Sequence, residues 1–156
     1  MHQYDALISS PVGGISLSLN EERLSSLDFT YSPVEQEYFK SDVASLIASQ
    51  IQRYFKNPYQ QFDLELQIVG TDFHQRVWKL LRDIPPGEVR TYGELAKQLN
   101  SSARAVGNAC RRNPIPLIIP CHRVVAKNGI GGFAGHTEGS TIALKHWLLA
   151  FESGKK

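Results

Sequence analysis

A cysteine and a histidine stand side by side at Cys121 and His122, in the run Ile119-Pro120-Cys121-His122-Arg123-Val124-Val125. The residue types point to thiol chemistry. The thiolate is the nucleophile, and a nearby His or other cation lowers a cysteine's pKa from about 8.5. Adjacent residues on an extended chain point in opposite directions, so a water could bridge imidazole and thiol. A Cys-His pair by itself more often reads as a small buried thiol that packs as a hydrophobe. The surroundings decide between the two. Leu117-Ile118-Ile119 driven into Pro120 reads as a short buried segment that ends at a turn.

Two further stretches carry chemical potential. Between Ala103 and Arg112 the spacing predicts a helix with two faces. Ala103, Val106, Gly107 and Cys110 fall on a small-residue face able to pack closely, with Cys110 read as core. Arg104, Asn108 and Arg111 fall on another, with Arg112 beside them, and guanidinium groups suit phosphate contacts. Gly131-Gly132-Phe133-Ala134-Gly135 is a glycine-rich loop that permits close backbone approach to a ligand.

These groups need elements to hold them. Tyr4, Ala6 and Ile8, then Ile15, Leu17 and Leu19, then Leu27, Phe29 and Tyr31 alternate with period two between turn residues, which predicts an antiparallel meander. Val43, Leu46, Ile47, Ile51 and Tyr54 predict an amphipathic helix from Asp42 to Phe55. Phe62, Leu64, Leu66 and Ile68 alternate again. Val69-Gly70 marks a boundary, giving a scaffold over 1–69 and a mostly helical domain over 70–156. In the second part Thr71 caps a helix carrying Phe73, Val77, Leu80, Leu81 and Ile84, which Pro85-Pro86-Gly87 stops. A short helix from Tyr92 to Leu99 faces inward with Leu95 and Leu99. Asn100-Ser101-Ser102 turns the chain into the helix at Ala103, so the pair reads as a helix-turn-helix. Val124-Val125 extends a short strand, Asn128-Gly129 makes a hairpin-type turn, and Ser140 or Thr141 caps a last helix ending at Glu152. The fold class is therefore α+β: a small antiparallel sheet-plus-helix subdomain, then a mostly helical domain.

Composition narrows the classes. In 156 residues, 42% hydrophobic, no run approaches the ~20 apolar residues of a membrane span. The first residues have neither the basic start nor the apolar core of a signal peptide. Two cysteines without such a signal suggest free thiols in a reducing cytoplasm. A net charge of +2 permits nucleic-acid binding without arguing for it.

From Gly70 to Glu152 the chain resembles the O6-alkylguanine-DNA alkyltransferases, or methylated-DNA–protein-cysteine methyltransferases. The matching pieces run in the family's order: Gly70-Thr71-Asp72-Phe73 with Val77-Trp78, Ile84-Pro85 with Gly87-Glu88-Val89, Thr91-Tyr92, Arg104-Ala105-Val106-Gly107, Asn113-Pro114, Pro120-Cys121-His122-Arg123-Val124, and Lys145 with Trp147-Leu148-Leu149. The ordered set reverses the bland reading of Cys121.

The resemblance implies direct-reversal DNA repair. A guanine alkylated at O6 would be flipped out of the duplex, and Cys121 would take the alkyl group once and irreversibly. His122 would act on the thiol through a water, Glu152 would orient His122, and Asn113 would brace the turn. Tyr92 would donate to the flipped guanine's N3 and press on the adjacent phosphate. Arg104 would fill the gap left by the base. The helix bearing Ala105, Gly107, Asn108 and Arg111 would sit in the minor groove. Carbonyls at Cys121 and Val124 would read the guanine amino group, Phe133 and Gly135 would line the pocket, and the Ala134 N–H would face O6. The partner implied is double-stranded DNA carrying the lesion, bound by a monomer in the cytoplasm, with no metal and no cofactor.

Departures from the family pattern matter. Phe133 stands where many members have Tyr, and Ala134 where some have Ser. His136-Thr137-Glu138-Gly139-Ser140 lengthens the stretch after the glycine loop. Residues 1–69 hold no Cys, so the N-terminal zinc site of some members is not expected. The alternatives are an alkyltransferase-like protein that binds damage without catalysis, against which Cys121 argues, and a multiple-turnover Cys-His hydrolase.

Overall fold

A computed structural model of the chain describes residues 3–131 and 140–154. The chain divides into two compact units, Met1–Ile68 and Val69–Lys156.

The first unit is a four-stranded sheet with one helix. Strands β1 (Ala6–Ile8), β2 (Ile15–Asn20) and β3 (Arg23–Phe29) form the expected antiparallel meander. A two-residue strand, β4 (Tyr38–Phe39), which the alternation did not announce, pairs with the outer side of β1, giving the order β3-β2-β1-β4. The inward face is Ala6, Ile8, Ile15, Leu17, Leu24 and Leu27. Leu24 and Leu27 are three apart because the β2–β3 register slips between Ser18 and Leu19, and such a bulge shifts the side-chain alternation. Tyr31, expected inside, lies beyond β3 with φ +59° and is exposed. Helix α1 (Asp42–Tyr54) starts at Ser41, whose hydroxyl accepts the Ala44 N–H, and buries Ala44, Ile47, Ala48, Ile51 and Tyr54. Leu46, assigned to that face by spacing, is 68% exposed. The alternating stretch Phe62 to Ile68 is not a strand: it contributes one parallel bridge, Leu66 to Leu24.

In the second unit local signals set most boundaries. Thr71 caps α2 (Asp72–Arg82), and its hydroxyl accepts the His74 N–H. Helix α3 (Tyr92–Leu99) opens with a reciprocal capping box between Thr91 and Glu94, which satisfies two otherwise orphaned N–H groups. It ends at Asn100 in the left-handed region (φ +53°), where the Ser101 N–H turns back onto the Ala96 carbonyl. Ser102 then caps α4 (Ala103–Arg111). Two two-residue strands, β5 (Arg90–Thr91) and β6 (Val124–Val125), pair in parallel. Helix α5 (Ser140–Glu152) closes the unit. Val77, Trp78, Leu81, Leu95, Val106, Ala109, Ile115, Ile119 and Leu148 form its core. Trp78 ties α2 to α4 by donating its indole N–H to the Ala109 carbonyl at 2.8 Å. A Cβ on Gly70 would lie 2.6 Å from the same indole, so the chain passes there only as glycine. The turn expected at Asn128-Gly129 sits one residue earlier, with Gly129 N–H closing onto the Ala126 carbonyl. No helix among the described residues is long and apolar enough to cross a membrane.

Candidate active site

The reactive run is a sequence of tight turns. Leu117 has φ +80°, which a branched residue adopts at a cost. Pro120 has φ −81° and ψ 68°, an inverse γ-turn, closed by the Cys121 N–H onto the Ile119 carbonyl at 2.8 Å. Cys121, His122 and Arg123 then make one turn of 3₁₀-helix. Asn113 braces this from the start of the loop: its Nδ2 donates to the Ile119 carbonyl at 2.7 Å and its Oδ1 accepts the Ile115 N–H at 2.9 Å. One side chain thus pins both ends of the segment.

Cys121 is 6% exposed. Burial pushes its thiol up to about 11, against the opposing pull of a hydrogen bond from the Asn113 side chain and the charge of Lys145. At neutral pH its burial therefore favours the thiol over the thiolate. His122 follows it, fully buried, with Nε2 2.8 Å from Glu152 Oε2. Its Nδ1 is buried and has no hydrogen-bond partner among the described residues. Burial pulls His122 below the usual imidazole range, and Glu152 opposes it. A neutral imidazole with Nε2–H on the carboxylate leaves Nδ1 as a free acceptor.

Glu152 also bonds to Arg123. Arg123 donates Nε to Oε1 at 2.9 Å and Nη2 to Oε2 at 2.8 Å, a bidentate pair, and its Nη1 donates to the Ile84 carbonyl at 2.6 Å. Burial alone would raise the Glu152 carboxyl, but the bonds from Arg123 and His122 win and lower it to about 2. Spacing along the chain singled out Glu152 as the end of α5 and gave no role to Arg123. In the structure Arg123, together with His122, favours the ionised form of Glu152.

The β5–β6 ladder brings Tyr92 to the same place. It pairs Arg90 with Val124 and Thr91 with Val125, so Tyr92, the first residue of α3, follows beside the strand that leaves Cys121. Burial holds the Tyr92 phenol above its ordinary value, so it remains a donor. Gly131 backs onto this ring: a Cβ there would meet Tyr92 Cε2 and the Ala126 nitrogen at 3.2 Å each, and its φ is +76°. Lys145 is fully buried, donates Nζ to the Val124 carbonyl at 2.7 Å and lies 5.9 Å from the Tyr92 ring centroid. A charged residue in an apolar stripe was the available signal, because Ile142, Lys145, Leu148 and Glu152 repeat at helical spacing.

The site thus gathers Cys121, His122, Glu152, Asn113, Tyr92 and Val124. Phe133, Ala134 and Gly135 lie outside the described residues, as does most of the segment 136–140. On α4 the faces differ from the expectation. Val106 and Ala109 point inward, Ala105, Gly107 and Cys110 are half-buried, and Ala103 is exposed. Gly107 has nothing within 4 Å of where a Cβ would be. Arg104, Asn108 and Arg111 are exposed. The outward surface of α4 therefore combines small residues with two arginines. Among the described residues no cluster of three His, Cys, Asp or Glu side chains is placed to hold a metal ion.

Comparison with known proteins adds the following. Residues 72–154 match the family model described as 6-O-methylguanine DNA methyltransferase, DNA binding domain. A methylated-DNA–protein-cysteine methyltransferase of Methanosarcina acetivorans is 39% identical over 96% of this chain and 97% of its own. One of Mycobacterium tuberculosis is 42% identical, covering 95% of this chain and 91% of its own. A crystal structure of the Mycobacterium tuberculosis O6-methylguanine methyltransferase superposes with a TM-score of 0.78 at 38% identity, over 96% and 92% of the two chains. A crystal structure of that organism's OGT in complex with DNA gives 0.79, also at 38%, over 95% and 91%.

Proposed function

The chain belongs to the methylated-DNA–protein-cysteine methyltransferase family, and we propose that Cys121 is the residue in it that takes the alkyl group. The activity is direct-reversal repair: one alkyl group passes from O6 of a guanine in DNA to a cysteine of the protein, once per chain. The observation that carries the assignment of residues is a buried Cys121 followed directly by a buried His122 whose Nε2 lies 2.8 Å from the Glu152 carboxylate and whose Nδ1 has no partner among the described residues.

The thiol of Cys121, held protonated by burial, gives its proton to His122 Nδ1 through a bridging water. The imidazolium so formed is stabilised by Glu152. The sulfur then displaces the alkyl carbon from O6. The S–C bond forms as the C–O bond breaks, and the electron pair passes to the guanine. Tyr92, kept as a phenol, donates to the guanine N3 and lowers the cost of that charge. The thioether that results cannot be reversed by any group of the site, so turnover stops at one.

Access requires the base to leave the duplex, since its O6 is buried in the stack. The exposed surface of α4 suits the minor groove: Gly107 and Ala103 allow close approach, Arg111 meets phosphate, and Arg104 enters the stack in place of the guanine. Such contacts are mostly indifferent to sequence, as repair requires. The acting unit in this reading is a monomer. A free-thiol nucleophile also suits a reducing compartment.

The test is intact-protein mass after incubation with duplex DNA carrying one O6-methylguanine, followed by peptide mapping. One methyl per chain, on Cys121, is the expected result. A methyl on another residue overturns the assignment of Cys121. Binding without any mass gain would make the protein a non-catalytic damage binder.

A further inference from the structure

One exposed residue of α4 differs in kind from its neighbours. The buried Val106 and Ala109, with the Trp78 indole N–H on the Ala109 carbonyl at 2.8 Å, fix which way the helix is turned. Its exposed residues are then Ala103, Arg104, Asn108 and Arg111. Arg104, Asn108 and Arg111 stand at i, i+4 and i+7, so they share one face. Alanine has no polar side-chain atom, and a guanidinium only donates. Asn108 alone of the four carries an acceptor beside its donors. Its side-chain amide makes no hydrogen bond among the described residues. Gly107 beside it has no side chain and stands in open space. The backbone can therefore come close to a surface there, and a side chain as short as Asn reaches what that surface presents.

The surface presented by a duplex is of two kinds. Phosphates offer only acceptors, which suit the two arginines and give the Asn108 Oδ1 nothing to bind. The minor-groove floor offers acceptors at every base pair, and only G·C adds a donor, the guanine N2 amino group. On a guanine edge both halves of the amide are used: Nδ2 donates to N3 and Oδ1 accepts from the N2 amino group. At A·T the Oδ1 is shut off from water with no donor to meet it, which costs free energy. Four residues of helix rise about 6 Å, or about two base-pair steps.

We propose that Asn108 is a specificity-determining residue that reads a guanine minor-groove edge within two base pairs of the flipped nucleotide. The proposal rests on the reading that α4 enters the minor groove with Arg104 at the flipped site. It adds a graded preference for the flanking sequence to contacts that otherwise carry none.

The test uses duplexes with one O6-methylguanine and each of the two flanking pairs on either side set in turn to A·T, T·A, G·C or C·G. Inosine is then put in place of each flanking guanine, which deletes only the N2 amino group. Second-order rate constants of methyl transfer are measured for wild type and for Asn108→Ala. Alanine at an exposed helical position favours the helix, and thermal melting verifies folding. Dividing wild type by N108A for each duplex cancels the cost of unstacking that belongs to the DNA. At one flanking position that ratio is expected to be about fivefold or more higher for guanine than for inosine or A·T, the worth of a bidentate pair. Arg111→Ala is expected to slow every duplex by one common factor and to reduce the salt dependence. A wild-type/N108A ratio that is the same for all duplexes, or higher at A·T, overturns the proposal. An inosine effect that R111A abolishes as fully as N108A overturns it too. In each of those cases methyl transfer by the wild type leaves the function reading standing. Absence of transfer from every duplex ends both.

Discussion

Replacing Glu152 by Gln changes almost no volume and removes one charge, so its consequences can be worked from the geometry. Arg123 is 6% exposed, and the carboxylate is its bidentate partner. Breaking a buried pair by neutralising one member costs about 3–5 kcal/mol, because the other charge is left uncompensated. An independent route gives a similar size. Moving the Glu152 carboxyl from 4.5 to about 2 corresponds to about 3 kcal/mol at roughly 1.4 kcal/mol per pH unit. The sign follows from the direction. The folded pKa is the lower one, so this contribution is complete above about pH 4.5 and is lost as the pH falls through about 2. Chemical denaturation across that window should therefore show the wild type losing about 3 kcal/mol more than E152Q. At neutral pH, E152Q should be less stable by about 3 kcal/mol, a large part of a typical 5–15 kcal/mol. Chemistry suffers separately. A Gln that presents its amide N–H to His122 Nε2 makes that nitrogen the acceptor and puts the proton on Nδ1, where it cannot take one from the thiol. Single-turnover transfer should slow by about 10²–10⁴, the usual worth of a positioned base. Parallel stability curves between pH 4.5 and 2, or transfer within a few-fold of wild type in folded E152Q, would refute the reasoning.

Arg104→Ala should weaken repair in duplex DNA far more than reaction with the free modified base, measured as two second-order rate constants, and equal losses would remove its proposed part in flipping. Gly131→Ala puts a Cβ 3.2 Å from both the Tyr92 ring and the Ala126 nitrogen at a φ of +76°. It should lower stability by about 1–2 kcal/mol, with a loss of transfer rate beyond that seen for a remote variant of equal stability. Glu21 and Glu22 fill the two left-handed positions of the β2–β3 hairpin, at φ +53° and +63°, where Asn-Gly is preferred. Glu22→Gly should raise the thermal midpoint, by the equivalent of about 1 kcal/mol, and leave transfer unchanged.

How much could be read without the structure differs by element, for a physical reason in each case. Helices α2, α3 and α4 begin at Thr71, Thr91 and Ser102, because a hydroxyl that satisfies an N–H three residues on is a local event. The inward stripe of α1 was misjudged at Leu46 because spacing fixes a period and leaves the phase to whatever sheet lies beneath. On α4 the same ambiguity put Ala103 inside and left out Ala109, which accepts the Trp78 indole N–H. Phe62 to Ile68 has the alternation of a strand and forms one bridge, since alternation supplies a face but not a partner edge.

For the site, residue types pointed to thiol chemistry at a cysteine beside a histidine without deciding it against a small buried thiol, and the ordered motifs named the family. Tertiary structure alone decided which charge sits against which. Arg123 meets Glu152 from 29 residues away, Lys145 reaches Val124 from 21, and the β5–β6 pairing carries Tyr92 to the strand that leaves Cys121. A pKa depends on burial and on distance to other charges, and neither quantity exists until the chain has closed on itself.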